Sequence, residues 1–129
     1  VKNLNELKIE KEAKITDLIN ESLMFFAFSN EQFQQNKTPL QEGEKYVSLG
    51  AGAYLPKSKV EIYIKGTKSI DEWFKSTVKS NKLKTANILY ELNNHEAFYT
   101  NDLESTLSTL GEDYTEEEVR KVFNENKIN

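Results

Sequence analysis

Apolar residues in the first stretch of the chain recur mostly at three- and four-residue steps: Leu4 and Leu7, then Ile15, Leu18, Ile19, Leu23 and Phe26. That is the spacing of one face of a helix. Lys8, Glu10, Lys11, Glu12 and Lys14 fill the other side, with Glu10 and Lys14 four apart where a helix pairs opposite charges. The pattern predicts a helix from about Leu4 to Phe26. "NEQFQQNK" reads as a short helical turn that ends before Pro39, because the residue ahead of a proline avoids helical geometry.

The pattern changes at "EKYVSLGAGAYLP", Glu44 to Pro56. Tyr46, Val47 and Leu49 precede two glycines, and Tyr54 and Leu55 follow them, which predicts a hairpin around Gly50-Ala51-Gly52. "KVEIYIK" fits a helix through Val60, Tyr63 and Ile64, and fits a strand through Val60, Ile62 and Ile64. Ser58 as its cap and Gly66 as its stop favour the helix. Four further helices are expected: Ile70 to Lys79, Lys84 to Asn93, Asp102 to Leu110 with Gly111 at its end, and Glu116 to Asn126. Six pairs have the spacing of a capping box: Asn3/Glu6, Ser29/Gln32, Ser58/Glu61, Ser69/Glu72, Asn101/Glu104 and Thr115/Glu118. The fold class expected is mainly α (α+β with a minor β-hairpin), a compact helical bundle of six or seven helices in a single domain over 1–129.

Composition narrows the function classes. The chain of 129 residues is 29% charged and 37% apolar, with seven Phe, six Tyr and one Trp. That aromatic content belongs to a folded chain. There is no cysteine, which excludes disulfides, thiolate metal sites and cysteine nucleophiles. The longest apolar run, "LMFFAF", falls far short of the ~20 residues of a membrane span, and residues 1–20 hold no apolar leader core. The expectation is a soluble protein of the bacterial cytoplasm. Charge is unevenly placed: residues 1–55 carry a net −2, residues 56–85 a net +5, and residues 86–129 a net −7. The basic stretch from Lys57 to Lys84, with Lys57, Lys59, Lys65, Lys68, Lys75 and Lys79, suits contact with phosphates. The acidic end, with Glu112, Asp113, Glu116 and Glu117, suits a basic groove on a protein partner. Both also suit the solvated faces of amphipathic helices.

Candidate chemistry centres on "NHEAFYTND". His95 is the only histidine, with Glu96 beside it and Asp102 further on. "HEAFY" departs from the zinc-protease helix H-E-x-x-H at Tyr99, so no metal or cofactor is expected. A hydrolytic triad would need Thr100, Ser105 or Ser48 beside His95 and Asp102, and no nucleophile elbow accompanies them. The simpler reading makes His95 a helix-end residue, favoured there by the helix dipole, with Thr100, Asn101 and Asp102 capping the next helix. "LGAGAY" fails the dinucleotide fingerprint at Leu55 and lacks the P-loop Gly-Lys-Ser/Thr.

The stretches "MFFAFSNEQF" (24–33), "KYVSLGAGAYLP" (45–56) and "YELNNHEAFYTNDLESTLSTLG" (90–111) cover about a third of the chain. Together they resemble a family of small uncharacterised proteins met in bacteriophages and other mobile elements. The matching positions are Phe26, Ser29, Asn30, Gly50, Gly52, His95, Glu96, Thr100 and Asp102. The resemblance implies no reaction. It implies an accessory role, and that Phe28-Ser29-Asn30, the glycine turn and His95-Glu96 converge on one surface. Small size and acidic character then point to stoichiometric binding of a protein partner, such as a bacterial defence nuclease that the chain inhibits in anti-CRISPR fashion. Two alternatives stand: a small hydrolase or nucleotide-binding enzyme using His95, Glu96 and Asp102, or a nucleic-acid-binding regulator using the Lys57–Lys84 stretch.

Overall fold

The computed structural model describes residues 2–128. Among them are seven helices: α1 (Leu4–Glu21), α2 (Asn30–Asn36), α3 (Val60–Ser80), α4 (Lys84–Asn94), α5 (Ala97–Thr100), α6 (Glu104–Leu110) and α7 (Glu116–Asn126). Three short strands, β1 (Phe25–Phe26), β2 (Tyr46–Gly50) and β3 (Ala53–Pro56), and a 3-10 turn at Lys57–Lys59 complete it. The mainly helical class with a minor β element is as the sequence predicts. The described residues group into two compact units, one of residues 5–75 and the other of the remaining described residues.

In the unit of residues 5–75 the strands form an antiparallel sheet in the order β1-β3-β2. Leu55 is fully buried and packs with Met24, Ala53, Ile19, Val60 and Tyr63. Four rings form a second cluster. Phe25 stacks on Tyr54 at 5.7 Å, and Phe33 of α2 meets Phe25, Tyr46 and Tyr54 edge-on at 5.2, 5.4 and 5.1 Å. Edge-to-face pairs of this kind add about 0.5–1.5 kcal/mol each beyond the area they bury. Lys8 and Lys11 lie over the Phe74 ring and Lys14 over Trp73, so the α1 lysines cover aromatic rings of α3.

Two predicted boundaries move. The first helix ends at Glu21, not Phe26: Leu23 takes φ +54, its N–H returns to Asn20, and the Met24 N–H returns to Ile19. This paired closure is a Schellman stop with leucine where glycine is usual. Beyond it the chain is extended, and exposure alternates: Phe25 6%, Phe26 45%, Ala27 4%, Phe28 76%. "FFAF" is therefore a strand pattern of period two. The second change is Gly66, which does not stop a helix. The helices expected at Ser58–Gly66 and Ile70–Lys79 are one, α3. A Cβ on Gly66 would stand 2.4 Å from Leu18 Cδ1 and 2.8 Å from Cδ2, so the missing side chain is where α1 crosses close to α3.

In the other unit α4, α5, α6 and α7 enclose Ile88, Leu92, Ala97, Leu103, Leu110, Val119, Val122 and Phe123. Lys84 ties α4 to α7: its ammonium donates to the Asp113 carbonyl at 2.8 Å and to Glu118 at 3.2 Å, and lies 4.6 Å from the Tyr114 ring centre. Thr115 and Glu118 form a full capping box, the Glu118 N–H donating to Thr115 Oγ1 and the Thr115 N–H to Glu118 Oε1. That Thr115 hydrogen bond, helped by Lys84, holds the Glu118 carboxyl below its usual 4.5. A carboxyl with a depressed folded pKa stabilises above its unfolded value and loses that contribution as pH falls through the folded one. Thr115→Ala is thus expected to cost about 1 kcal/mol at pH 7. Glu118→Gln is expected to cost stability at pH 7 and little once the pH is below the folded value, as urea unfolding at several pH values would measure.

The other predicted boxes take different forms. Ser29 caps α2 through the Gln32 N–H, but Gln32 Oε1 reaches back to the N–H of Phe28, one residue early. Ser58 bonds Glu44 instead of Glu61. Ser69 and Glu72 lie inside α3. Ahead of α6, whose N-cap position is Leu103, it is Asp102 and not Asn101 that accepts from the Glu104 N–H, at 2.9 Å. At the end of α3 the exposed Lys82 takes φ +58, with the Leu83 N–H returning to Val78. Lys82→Gly removes the left-handed strain and no buried contact, so thermal unfolding should show a gain of about 1 kcal/mol.

Candidate binding surface

His95 is the C-cap of α4, its N–H returning to Glu91 O at 3.0 Å. Its ring Nε2 faces two groups: Thr109 Oγ1 of α6 at 3.0 Å, and the buried Glu91 carboxylate one helical turn earlier at 3.3 Å. A hydrolytic triad needs the acid on one ring nitrogen and the nucleophile on the other, so that the imidazole passes a proton through itself. Here both meet the same nitrogen, and the trio is a polar clasp between α4 and α6.

The acids expected to face His95 lie elsewhere. Glu96 is held at φ +57 as the residue before α5, its carbonyl accepting from the N–H groups of Tyr99 and Thr100. Thr100 Oγ1 accepts from the Asp102 N–H, and Asp102 Oδ1 accepts from the Glu104 N–H at the start of α6. The residues that do meet the imidazole, Glu91 and Thr109, escaped the sequence reading. Glu91 had a usable signal, since it stands four residues before His95 on one helix; Thr109 arrives only through the α4–α6 packing. Among the described residues no group of three or more His, Asp or Glu side chains is placed to hold a metal ion, and no helix is long and apolar enough to cross a membrane.

The unit of residues 5–75 brings a different set together. Gly50 and Gly52 take φ +87 and +79 around Ala51 at +50, so three consecutive left-handed residues make the β2–β3 turn. The Phe28 ring lies against Gly52, where a Cβ would stand 2.5 Å from its Cε1. Ser29 and Asn30 open α2 directly after that ring. Phe26 of β1, Phe28 just beyond it and Leu49 of β2 remain exposed. Phe28 thus meets the glycine turn, with Ser29 and Asn30 following it in the chain, while His95 and Glu96 belong to the other unit.

The charged residues divide by their partners. On α3, Lys65 pairs with Glu61 at 2.8 Å and Lys75 with Asp71 at 3.1 Å, both one turn apart and exposed. Such pairs contribute about 0.3–0.5 kcal/mol. Lys57 and Lys59 lie in the 3-10 turn, and Lys68 and Lys79 are exposed on α3. Glu116 pairs with Arg120 at 2.9 Å, while Glu112, Asp113 and Glu117 are exposed before and within the first turn of α7.

A model of a family described as "Family of unknown function (DUF7659)" matches residues 7–128. No curated protein and no solved structure matches the chain.

Proposed function

We propose that this chain, which belongs to the family of unknown function DUF7659, works by holding a macromolecular partner in fixed ratio and not by turning over a substrate. The observation that carries this reading is Phe28. The residue is 76% exposed yet lies against the bare backbone of Gly52, and Phe26 of β1 and Leu49 of β2 are exposed as well. Exposed aromatic rings of this kind supply the anchors of protein interfaces, where their burial carries much of the binding energy. The arrangement at His95 supports the same reading, because an imidazole facing acid and hydroxyl through one nitrogen cannot relay a proton between them.

The likeness to phage and mobile-element proteins gives the setting: an accessory protein whose partner is a host macromolecule, with a defence nuclease the first class to test and stoichiometric inhibition the mode of action. Capture from the native host, followed by titration of the captured partner, tests it. Wild type and His95→Ala should retain the partner at one fixed ratio, and Phe28→Ala should release it. Retention by Phe28→Ala with loss in His95→Ala would return the site to His95.

A further inference from the structure

We propose that the outer edge of β2 receives an extended acidic segment of the partner as a fourth strand of the sheet. This inference rests on the binding reading above and names the chemistry of what is bound.

The pairing pattern leaves that edge open. In an antiparallel pair the main-chain groups of successive residues point alternately toward and away from the neighbour. Lys57 donates its N–H to Lys45 O at 2.9 Å, which sets Lys45 and Val47 inward, toward β3. Tyr46 lies opposite Pro56, which has no N–H, and Ser48 lies opposite Tyr54. Tyr54 itself faces Phe25, beside the bond from the Ala27 N–H to Gly52 O, so its main-chain groups serve β1. Tyr46 and Ser48 therefore turn an N–H and a C=O each outward from the sheet. The opposite edge is closed by side chains: Asn36 Nδ2 donates to Phe26 O at 2.9 Å and Thr38 Oγ1 to Leu23 O at 2.6 Å. An edge strand with matched donors and acceptors facing solvent is a template for another strand.

Charge selects the occupant. Lys45 and Lys57 stand opposite each other where β2 begins, and among the described residues neither has an ion-pair partner. Like charges directly across a strand pair are unfavourable. The adjacent carboxylate, Glu44, is engaged by the N–H groups of Ser58 and Gln41, at 3.1 and 3.2 Å, and by the Ser58 hydroxyl. A hollow of about 670 Å³ lined by Gly43, Glu44, Lys45, Lys57 and Ser58 opens at the same end. A carboxylate side chain from outside would relieve the two ammonium groups there. A second copy of this chain would bring the same lysines to the edge. A phosphodiester backbone would supply acceptors only, leaving the outward carbonyls of Tyr46 and Ser48 unmatched.

The probe is a nine-residue peptide of alternating threonine and valine ending in two glutamates, titrated into the isotope-labelled full chain and followed by amide NMR and hydrogen exchange. Controls are its twin ending in two lysines, a version N-methylated at alternate residues, and a single-stranded oligonucleotide. The acidic peptide should shift the Tyr46 and Ser48 amides and slow their exchange, and bind at least tenfold more tightly than the lysine twin. The N-methylated peptide should not bind, and Lys45→Glu with Lys57→Glu should reverse the preference. Equal binding of the twins, no binding at millimolar peptide, preference for the oligonucleotide, or self-association of the chain through β2 in sedimentation would each overturn the proposal. If the peptides fail while Phe28→Ala still weakens the natural partner, only this inference falls. If Phe28→Ala has no effect on that partner, the binding reading falls with it.

Discussion

Phe28→Ala is expected to weaken binding of the natural partner by at least about thirtyfold, the equivalent of 2 kcal/mol for a buried aromatic anchor. Unfolding free energy should change by no more than about 1 kcal/mol, because a ring 76% exposed contributes little to the core. The size of the binding effect follows from how the ring is held. Gly52 brings bare backbone against it, and a Cβ there would stand 2.5 Å from its Cε1. Gly52→Ala tests that cause separately. A methyl group at φ +79 introduces strain of about 1–2 kcal/mol and occupies the ring's seat, with Phe28 still present. Loss of affinity in both variants, with circular dichroism unchanged, identifies the ring's placement as the determinant. A ring that serves only to cover Gly52 would leave affinity untouched in both.

Gly66→Ala is expected to destabilise the protein by about 1–3 kcal/mol, against the ordinary gain of about 1 kcal/mol when alanine replaces glycine inside a helix. The reversal comes from Leu18, which is 6% exposed and has Cδ1 at 2.4 Å and Cδ2 at 2.8 Å from where the new methyl would lie. A buried leucine cannot swing clear without disturbing its neighbours. In a Leu18→Ala background the obstruction is gone, so Gly66→Ala should there be neutral or stabilising. Urea unfolding of the four proteins measures the coupling. Equal effects in the two backgrounds would show that the close approach of α1 and α3 is not what position 66 serves.

Much of the fold was legible because its signals are local. The span Glu116 to Asn126 matches α7 in both bounds, since Thr115 and Glu118 supply the cap and Val119, Val122 and Phe123 the buried face. The hairpin was legible from its glycines, and Gly111 from its place after Leu110. The failures arise where two local patterns overlap or where a distant residue decides. Leu23 and Phe26 continue the α1 spacing, yet Leu23 turns the chain and "FFAF" pairs with β3, a partner nearly thirty residues away. Gly66 looks like a stop until Leu18 lies against it. At the candidate sites, residue types around His95 suggested Glu96 and Asp102, whereas helix geometry selects Glu91 and packing supplies Thr109. The exposure of Phe28 and the open edge of β2 depend on strand order, which no single segment encodes.

The proposal that the chain holds its partner through the Phe28 surface, with His95 dispensable, predicts opposite outcomes for the two substitutions. Titration calorimetry of the captured partner against wild type, Phe28→Ala and His95→Ala separates them. One saturable site of fixed stoichiometry, preserved in His95→Ala and weakened at least about thirtyfold in Phe28→Ala, is the predicted result. Unchanged binding in Phe28→Ala together with loss in His95→Ala would contradict it.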